Sequence, residues 1–380
     1  MQLDTAYEPG PPSRIVVESV QQLDALLADD PRKHVVPPRG LEERFFDTSR
    51  QLSRLRVITH FYGAHPASQQ KYVPQRKGRN PTRGLGHLKT FEQVFADISR
   101  THSGGKLFGF GKVKRFLDLG CSPGGFSNWI LGNNPRADGV GITLPDERAQ
   151  WSMVVAGTHL EKSRYETRFA DIVSLAMDAA ESDERPVIPI KQDSSSTEPA
   201  YDLVIAGAFP SMNENIHLTT RIQLAYGQLL ILINNLKPGG NAVVVVTTRA
   251  HRWVIEEMAL LRQCFAKVST GKGRYVHQER SSCYLVCTDF RATQEQIAEL
   301  NQKIRETLRH VSKTQAELDA GEDGRGWDKL LTLVDISGKT EDELFEDERQ
   351  FVLDFFEPMW QKQFETKYNN FVKLLNNAGE

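Results

Sequence analysis

The chain has 380 residues, 39% of them hydrophobic, and a formal net charge of -2 at pH 7. That length holds one large or two moderate domains, and the apolar share is enough for a core. The near-neutral balance excludes nucleic-acid binding through global charge, so any such contact must come from a local patch. The four cysteines, Cys121, Cys264, Cys283 and Cys287, are few for this length and lack paired zinc-type spacing, so no metal site is expected. They point to a reducing intracellular compartment, without separating cytoplasm, nucleus and mitochondrion. No stretch offers an uninterrupted membrane span, and the first residues lack an apolar signal core.

Residues 1–14 are polar and proline-rich and read as disordered. Residues 16–27 suit a short strand and helix, 31–40 a loop, and 41–60 one helix with Leu41, Phe45, Leu52, Leu55 and Val57 loosely periodic. Residues 69–83, QQKYVPQRKGRNPTR, form a basic loop with Lys71, Arg76, Lys77, Arg79 and Arg83, one aromatic and no acid. It fits a phosphate-contacting segment for RNA or a solvated linker equally well. Residues 87–100 are an amphipathic helix with Leu88, Phe91, Val94, Phe95 and Ile98 on one side.

Residues 115–129, RFLDLGCSPGGFSNW, read as strand, glycine-rich turn and helix. Such a turn lets a ligand approach the backbone and points helix N-terminal amides at it. There is no Lys-Ser/Thr after the glycines, so this is not a P-loop, and the spacing is not that of the dinucleotide fingerprint. Strands and helices then alternate. Residues 139–144 suit a second strand, 145–160 a helix, and 165–172 a weak third strand ending at Asp171. Residues 180–200 read as an acidic surface insertion, 201–206 as a buried strand, 218–236 as a helix, and 242–247 as a central strand. Residues 253–265 suit a helix, with 266–268 and 282–287 as a closing antiparallel pair. In open α/β sheets, ligands sit outside the carboxyl ends of the strands. The ends of the first three strands are Gly120 to Phe126, Thr143 with Leu144, and Asp171. Beyond Arg291 the chain turns charged and helix-prone (294–318, 327–334, 340–375). This appendage fits a structural brace or a protein-partner surface.

The turn, Asp118-Leu119-Gly120-Cys121-Ser122-Pro123-Gly124-Gly125-Phe126, resembles the cofactor loop of S-adenosylmethionine-dependent methyltransferases. Its Pro-Gly-Gly-Phe ending is similar to the FtsJ-like family of RNA ribose 2′-O-methyltransferases. The resemblance continues for about 170 residues. It runs through GVGITL, the YDLVIAGAFPSM segment after the fourth strand, and the LKPGG that precedes a valine strand, to YLVC near Cys287. It implies an α/β fold: a Rossmann-like seven-stranded methyltransferase sheet over residues 85–290, with an N-terminal extension (1–84) and an α-helical C-terminal appendage (291–380). It implies S-adenosyl-L-methionine as cofactor, held by Asp118, Gly120, Cys121, Ser122, Pro123, Gly124, Gly125, Phe126, Thr143, Leu144, Asp171 and Gly207, with Asp171 taking the adenine amino group.

The family's chemistry rests on a Lys-Asp-Lys-Glu tetrad that takes the proton from a ribose hydroxyl. Here the first lysine matches Lys89. The aspartate position falls on Gly207, the second lysine on Val245 and the glutamate on Ser282, with Glu279 three residues earlier. Thr247, Thr248, Arg249, Glu214 and His217 are the other groups placed to line the cleft, although His217 also suits an ordinary helix start and Arg249 a solvated strand end. The cofactor half of the site thus looks intact and the catalytic half degenerate. Three readings follow: a methyltransferase for RNA ribose that works mainly by proximity, a cofactor-binding pseudoenzyme or RNA-binding scaffold, and a methyltransferase for another acceptor.

Overall fold

A computed structural model describes residues 15–66, 68, 81–102, 106–145, 148–149, 153–154, 164–190, 201–210, 217–273, 278–319 and 334–377. Seven strands among them form one sheet: β1 (Arg115–Leu119), β2 (Asp138–Thr143), β3 (Tyr165–Phe169), β4 (Tyr201–Ala206), β5 (Leu236–Thr247), β6 (Phe265–Gly271) and β7 (Ser282–Phe290). Their order is β3-β2-β1-β4-β5-β7-β6. β7 runs antiparallel between β5 and β6, and the pairs from β3 across to β5 are parallel. The order reverses between β1 and β4, which places the switch point, and with it the ligand crevice, beside the glycine-rich turn.

The strands alternate between two apolar layers, as a period of two demands. Phe116, Leu203, Ile205, Val243, Tyr284 and Val286 face one layer. Leu117, Leu119, Val204, Val244, Val246, Cys283 and Cys287 face the other. All four cysteines are buried and free. Gly139 and Gly141 on β2 leave room for the Phe116 ring and the Tyr165 hydroxyl; a Cβ at either would overlap them.

The first layer is closed by α4 (Pro81–Thr101) and α5 (Gly125–Asn133) through Phe91, Val94, Phe95, Phe126 and Trp129. The second is closed by α6 (Ile172–Ser182), α7 (Leu218–Asn235), α8 (Arg252–Cys264) and α9 (Gln294–Asp319). The expected helix over 41–60 is two helices, α2 (Leu41–Thr48) and α3 (Arg50–Ala64), preceded by α1 (Val20–Ala28). Ser49 divides them: it is extended, and its hydroxyl caps α3 by accepting from the Leu52 amide. The 37-residue α10 (Glu341–Asn377) carries an internal Pro358 and packs along α3, α2 and α8. Phe356, Trp360, Phe364 and Phe371 form its buried face.

Other boundaries differ from the sequence pattern. α4 begins at Pro81, so Arg83 stands on a helix; residues 69–80, with Lys71, Arg76, Lys77 and Arg79, lie outside the described residues, as do 1–14, 327–333 and most of 145–160. In the described part of 145–160 the Arg148 and Ala149 amides turn back to the Pro145 carbonyl at 2.9 and 2.8 Å, and the Val154 amide is tied to the Pro123 carbonyl at 2.9 Å. β5 starts at Leu236, through Lys237-Pro238-Gly239-Gly240, with an irregular register against Tyr201 and Leu203. The segment after α6 is docked: the Ile188 amide donates to Asn235 and the Tyr201 hydroxyl to the Ile188 carbonyl. No helix among the described residues is long and apolar enough to cross a membrane.

Candidate functional site

Asp118, the residue before the last of β1, lies inside the protein, 2% exposed. The Ser127 hydroxyl donates to its carboxylate at 2.6 Å, and the same hydroxyl lies 2.9 Å from the Tyr165 hydroxyl. The Ser127 amide also stabilises this carboxylate. Asp118 therefore caps α5 from beneath and fixes the turn. Burial raises its pKa to about 7, against the pull of the Ser127 hydroxyl and amide. The folded protein then keeps a proton that the unfolded chain loses near pH 4, so stability declines as pH rises from about 4 to 7. Asp118→Asn keeps an acceptor for Ser127 without a charge. We expect it to remove that decline, about 4 kcal/mol in all, of which roughly 3 kcal/mol falls between pH 5 and pH 8 and is read there by urea unfolding.

The turn itself is held from three sides. Gly120 has φ +79°, and a Cβ there would overlap Ala208 after β4. Gly124 has φ +106°, and a Cβ would lie 2.6 Å from the Val154 carbonyl oxygen. Gly125 starts α5 against α4: a Cβ would lie 2.5 Å from Phe91 Cβ and 2.6 Å from the Leu88 carbonyl oxygen. These glycines admit neighbouring segments of the protein rather than only a ligand. Cys121 and Ser122-Pro123, a cis bond, lie between them. Cys121 is buried with its Sγ 3.8 Å from Met153 Sδ, and burial pushes its thiol far above the usual range. Gly124 brings no side-chain cap to α5, and Ser127 is already served by Asp118. The first-turn amides at Gly125 and Phe126 are thus the part of the turn suited to an anionic group.

The ends of β2 and β3 lie side by side. Thr143 is buried, its carbonyl accepting from the Ala170 amide at 2.8 Å, and Leu144 is half-buried. Asp171 caps α6 with one carboxylate oxygen, Oδ1, 2.9 Å from the Val173 amide; its Oδ2 takes Arg148 at 2.7 Å. Gly207, across the turn, donates its amide to Leu119 at 3.0 Å. A Cβ at Gly207 would stand in ordinary van der Waals contact, 3.4 Å from Ile205 Cγ2 and 3.5 Å from the Leu119 carbonyl oxygen, so that position tolerates a methyl. The Thr143 carbonyl and the Gly207 amide are thus spent within the fold, and Asp171 Oδ2, held by the exposed Arg148, is the acceptor named at these strand ends that a bound group could share.

The positions of the family's tetrad are otherwise furnished. Val245 packs with the layer that holds Phe126 and Tyr284, and it is in register with Tyr284 across β5 and β7. Ser282 pairs with Thr247. Lys89 is exposed on the turn of α4 whose backbone abuts Gly125. Glu279 faces away, hydrogen-bonded to Asn370 of α10. His217 is exposed and makes no side-chain cap, and Glu214 lies outside the described residues.

Two of the cleft residues expected from the sequence are engaged in packing. Thr248 is buried: its carbonyl accepts from the Trp360 indole at 2.7 Å and its hydroxyl from the Gln363 amide at 2.8 Å. Arg249 is no solvated strand end. It sits 3.3 Å from Glu42, which also meets Arg56 and, at 3.5 Å, His251. Glu42 is 1% exposed. Nothing local in the sequence marks Glu42, Trp360 or Gln363 as neighbours of the β5 end, because each arrives from a distant helix.

The model of the FtsJ-like methyltransferase family matches residues 101–290. No curated protein matches the chain. Among solved structures it is similar to a ribosomal RNA methyltransferase of Plasmodium falciparum, at 19% identity over 51% of this chain and 96% of that one, TM-score 0.35. It is also similar to human methyltransferase-like protein 13 in complex with SAH (14% identity, 59% and 92%, TM-score 0.32). A third likeness is to the Methanococcus jannaschii fibrillarin pre-rRNA processing protein (12% identity, 49% and 71%, TM-score 0.31). The family match spans half of the sequence and runs from the last residue of α4 to the last residue of β7. By its sequence the chain belongs to the FtsJ-like family of S-adenosylmethionine-dependent methyltransferases.

Proposed function

We propose that the chain holds S-adenosylmethionine at the β1 turn and delivers its methyl group to RNA, at a ribose 2′-hydroxyl. The observation that carries this is the row of compatible groups along three strand ends. Gly125 and Phe126 offer helix amides to the carboxylate, Thr143 and Leu144 line the ribose, and Asp171 Oδ2, which also takes Arg148, offers an acceptor to the adenine amino group. The cofactor supplies an electrophilic methyl. RNA enters through family membership, since the ribose 2′-hydroxyl is the acceptor that the FtsJ resemblance implies.

The chain's own contribution to the transfer is mostly placement. Val245 and Gly207 carry no ionisable atom, so neither takes a proton or orients a base. Lys89 is the tetrad position that keeps its residue type. Losing positioned proton transfer costs about 10²- to 10⁴-fold, while holding donor and acceptor together recovers a large part of a barrier. Turnover is therefore slow, and it falls further in Lys89→Ala.

A second reading has a specific observation behind it. The second-lysine position is packed into an apolar layer beside Tyr284, the environment of a protein that binds cofactor and RNA without catalysis. Calorimetry with S-adenosylmethionine, followed by transfer of labelled methyl to RNA, separates the two. Asp171→Asn is the matched variant: its amide oxygen keeps the α6 cap, but its NH₂ replaces the acceptor Oδ2. We expect about tenfold weaker cofactor binding with little change in melting. Absence of binding by the folded wild-type chain would sink both readings; binding with unlabelled RNA leaves the second.

A further inference from the structure

The chain leaving β4 is locked in place from two sides. The buried side chain of Gln228, on α7, takes both main-chain groups of Ala208: its Oε1 accepts from the Ala208 amide at 2.8 Å, and its Nε2 donates to the Ala208 carbonyl at 3.3 Å. On the other side the Gly207 amide is tied to the Leu119 carbonyl at 3.0 Å. Ala208 packs so closely on Gly120 that a Cβ at the glycine would lie 2.4 Å from the Ala208 Cα. The exit of β4 is thus fixed to the exit of β1 and to the first glycine of the turn. The next residue, Phe209, is 48% exposed.

A single exposed apolar side chain is ordinary on a protein surface. What distinguishes Phe209 is its rigid seat and its place in the sheet. Of the other exposed phenylalanines, Phe110 precedes β1 and so lies at the amino edge, and Phe169 ends β3, on the flank that carries Asp171. The strand order β3-β2-β1-β4 decides which ligand Phe209 meets. The groups assigned to the cofactor run from the β1 turn through β2 to the residue capping α6 after β3. β4 lies on the opposite flank of β1. Phe209, at its carboxyl end, therefore stands on the side of the crevice left for the acceptor. It follows by two residues Gly207, the position that matches the family's aspartate.

A phenylalanine ring has no donor or acceptor, so it neither takes a proton nor reads the edge of a base. It offers a flat apolar face on a backbone that is already ordered, so little ordering remains to be done when the face is covered. The flat apolar parts of an RNA acceptor are its bases, and aromatic side chains hold single strands by stacking on them. Placement is also what this chain needs most. Gly207 and Val245 bring no ionisable atom to the ribose, so the base attached to that ribose is the handle by which it can be held.

We propose that Phe209 is the stacking platform for the base of the acceptor nucleotide. The proposal rests on the reading of RNA as the acceptor, and it names the residue that receives it.

The test uses the full chain, a short fluorescein-labelled single-stranded RNA read by anisotropy, and S-adenosylmethionine read by calorimetry. Phe209→Ala removes the ring. Phe209→Leu keeps apolar bulk and loses the flat face, and Phe209→Trp keeps the flat face. The first two are expected to weaken RNA binding at least about fivefold, and the third to stay within about twofold of wild type. Phe110→Ala, which removes a ring exposed at the opposite edge, is expected to bind RNA as wild type does. Cofactor affinity and melting temperature are expected to be unchanged in all four. Wild-type RNA affinity in Phe209→Ala overturns the platform, as does the absence of RNA binding by the wild-type chain. Wild-type affinity in Phe209→Leu overturns stacking, and an equal loss in Phe110→Ala overturns the assignment to this position. Weakened cofactor binding with unchanged RNA binding overturns it too, because the ring would then serve the cofactor. Loss of RNA binding in Phe209→Ala and Phe209→Leu, with no methyl label on RNA from the wild type, removes the proposed function and leaves the platform standing. Labelling of RNA by the wild type, with Phe209→Ala equal to it in binding and labelling, does the reverse.

Discussion

Gly125→Ala will destabilise the protein by about 1–3 kcal/mol and weaken cofactor binding with it. In an open helix the same change would stabilise, by up to about 1 kcal/mol, because alanine is the better helix former. Here the added methyl would lie 2.5 Å from Phe91 Cβ, 2.6 Å from the Leu88 carbonyl oxygen and 2.8 Å from the Glu92 amide nitrogen. Two of those are backbone atoms of α4, which cannot rotate away. The helix must shift, and the Phe91, Phe95 and Phe126 contacts shift with it. Gly207→Ala is the control for stability alone, since its methyl meets nothing closer than 3.4 Å while the position borders the proposed cofactor site. Thermal unfolding of the pair, with cofactor titration, checks the expectation. Equal melting of Gly125→Ala and wild type would mean that α4 is not seated on the turn.

The second large effect is expected at Glu42. Glu42→Gln leaves Arg56, Arg249 and His251 around a neutral amide, and removing one partner of a buried ion cluster costs about 3–5 kcal/mol. The wild-type carboxylate also gives the protein an acid limit. Burial alone would raise its pKa, but Arg249, Arg56 and His251 together outweigh burial and hold it at about 2. Because the folded value lies below the unfolded one, this contribution is complete above pH 4.5 and fades as pH falls toward 2, amounting to about 3 kcal/mol. Chemical denaturation between pH 7 and pH 2.5 should show a steep acid arm in wild type and a flatter one in Glu42→Gln. Parallel arms would mean that the cluster carries no net stability.

How much of this was readable in advance follows the range of the interactions. The β1–turn–α5 unit and the strand ends carrying Thr143 and Asp171 were legible, because hydrophobic period and turn chemistry are local signals. The third strand is shorter than expected, ending at Phe169, and Asp171 stands two residues beyond it as the N-cap of α6. The split at Ser49 was present in the residue type and passed over in favour of the apolar period. Asp118 could not be resolved between loop and ligand, because its partners Ser127 and Tyr165 meet only once β1, α5 and β3 are assembled. The seat of α4 on Gly125, the Glu42 cluster at β5 and the Trp360 contact with Thr248 join residues tens to hundreds of positions apart. No window of sequence contains both halves of such a contact.

The packing of α10 on α2 and α3 has a consequence for how the protein is made. About 280 residues separate the end of α3 from the start of α10. At 5–20 residues per second, roughly 15–60 s of synthesis elapse before the apolar face of α3 can meet its partner. Throughout that interval Tyr62 and Arg54 lack the Phe371 and Phe364 rings that cover them, while the sheet between the two helices is being completed. Chaperone demand should therefore fall on the earliest helices of this chain, and shortening α10 should show itself first as aggregation during translation rather than as a weaker finished enzyme.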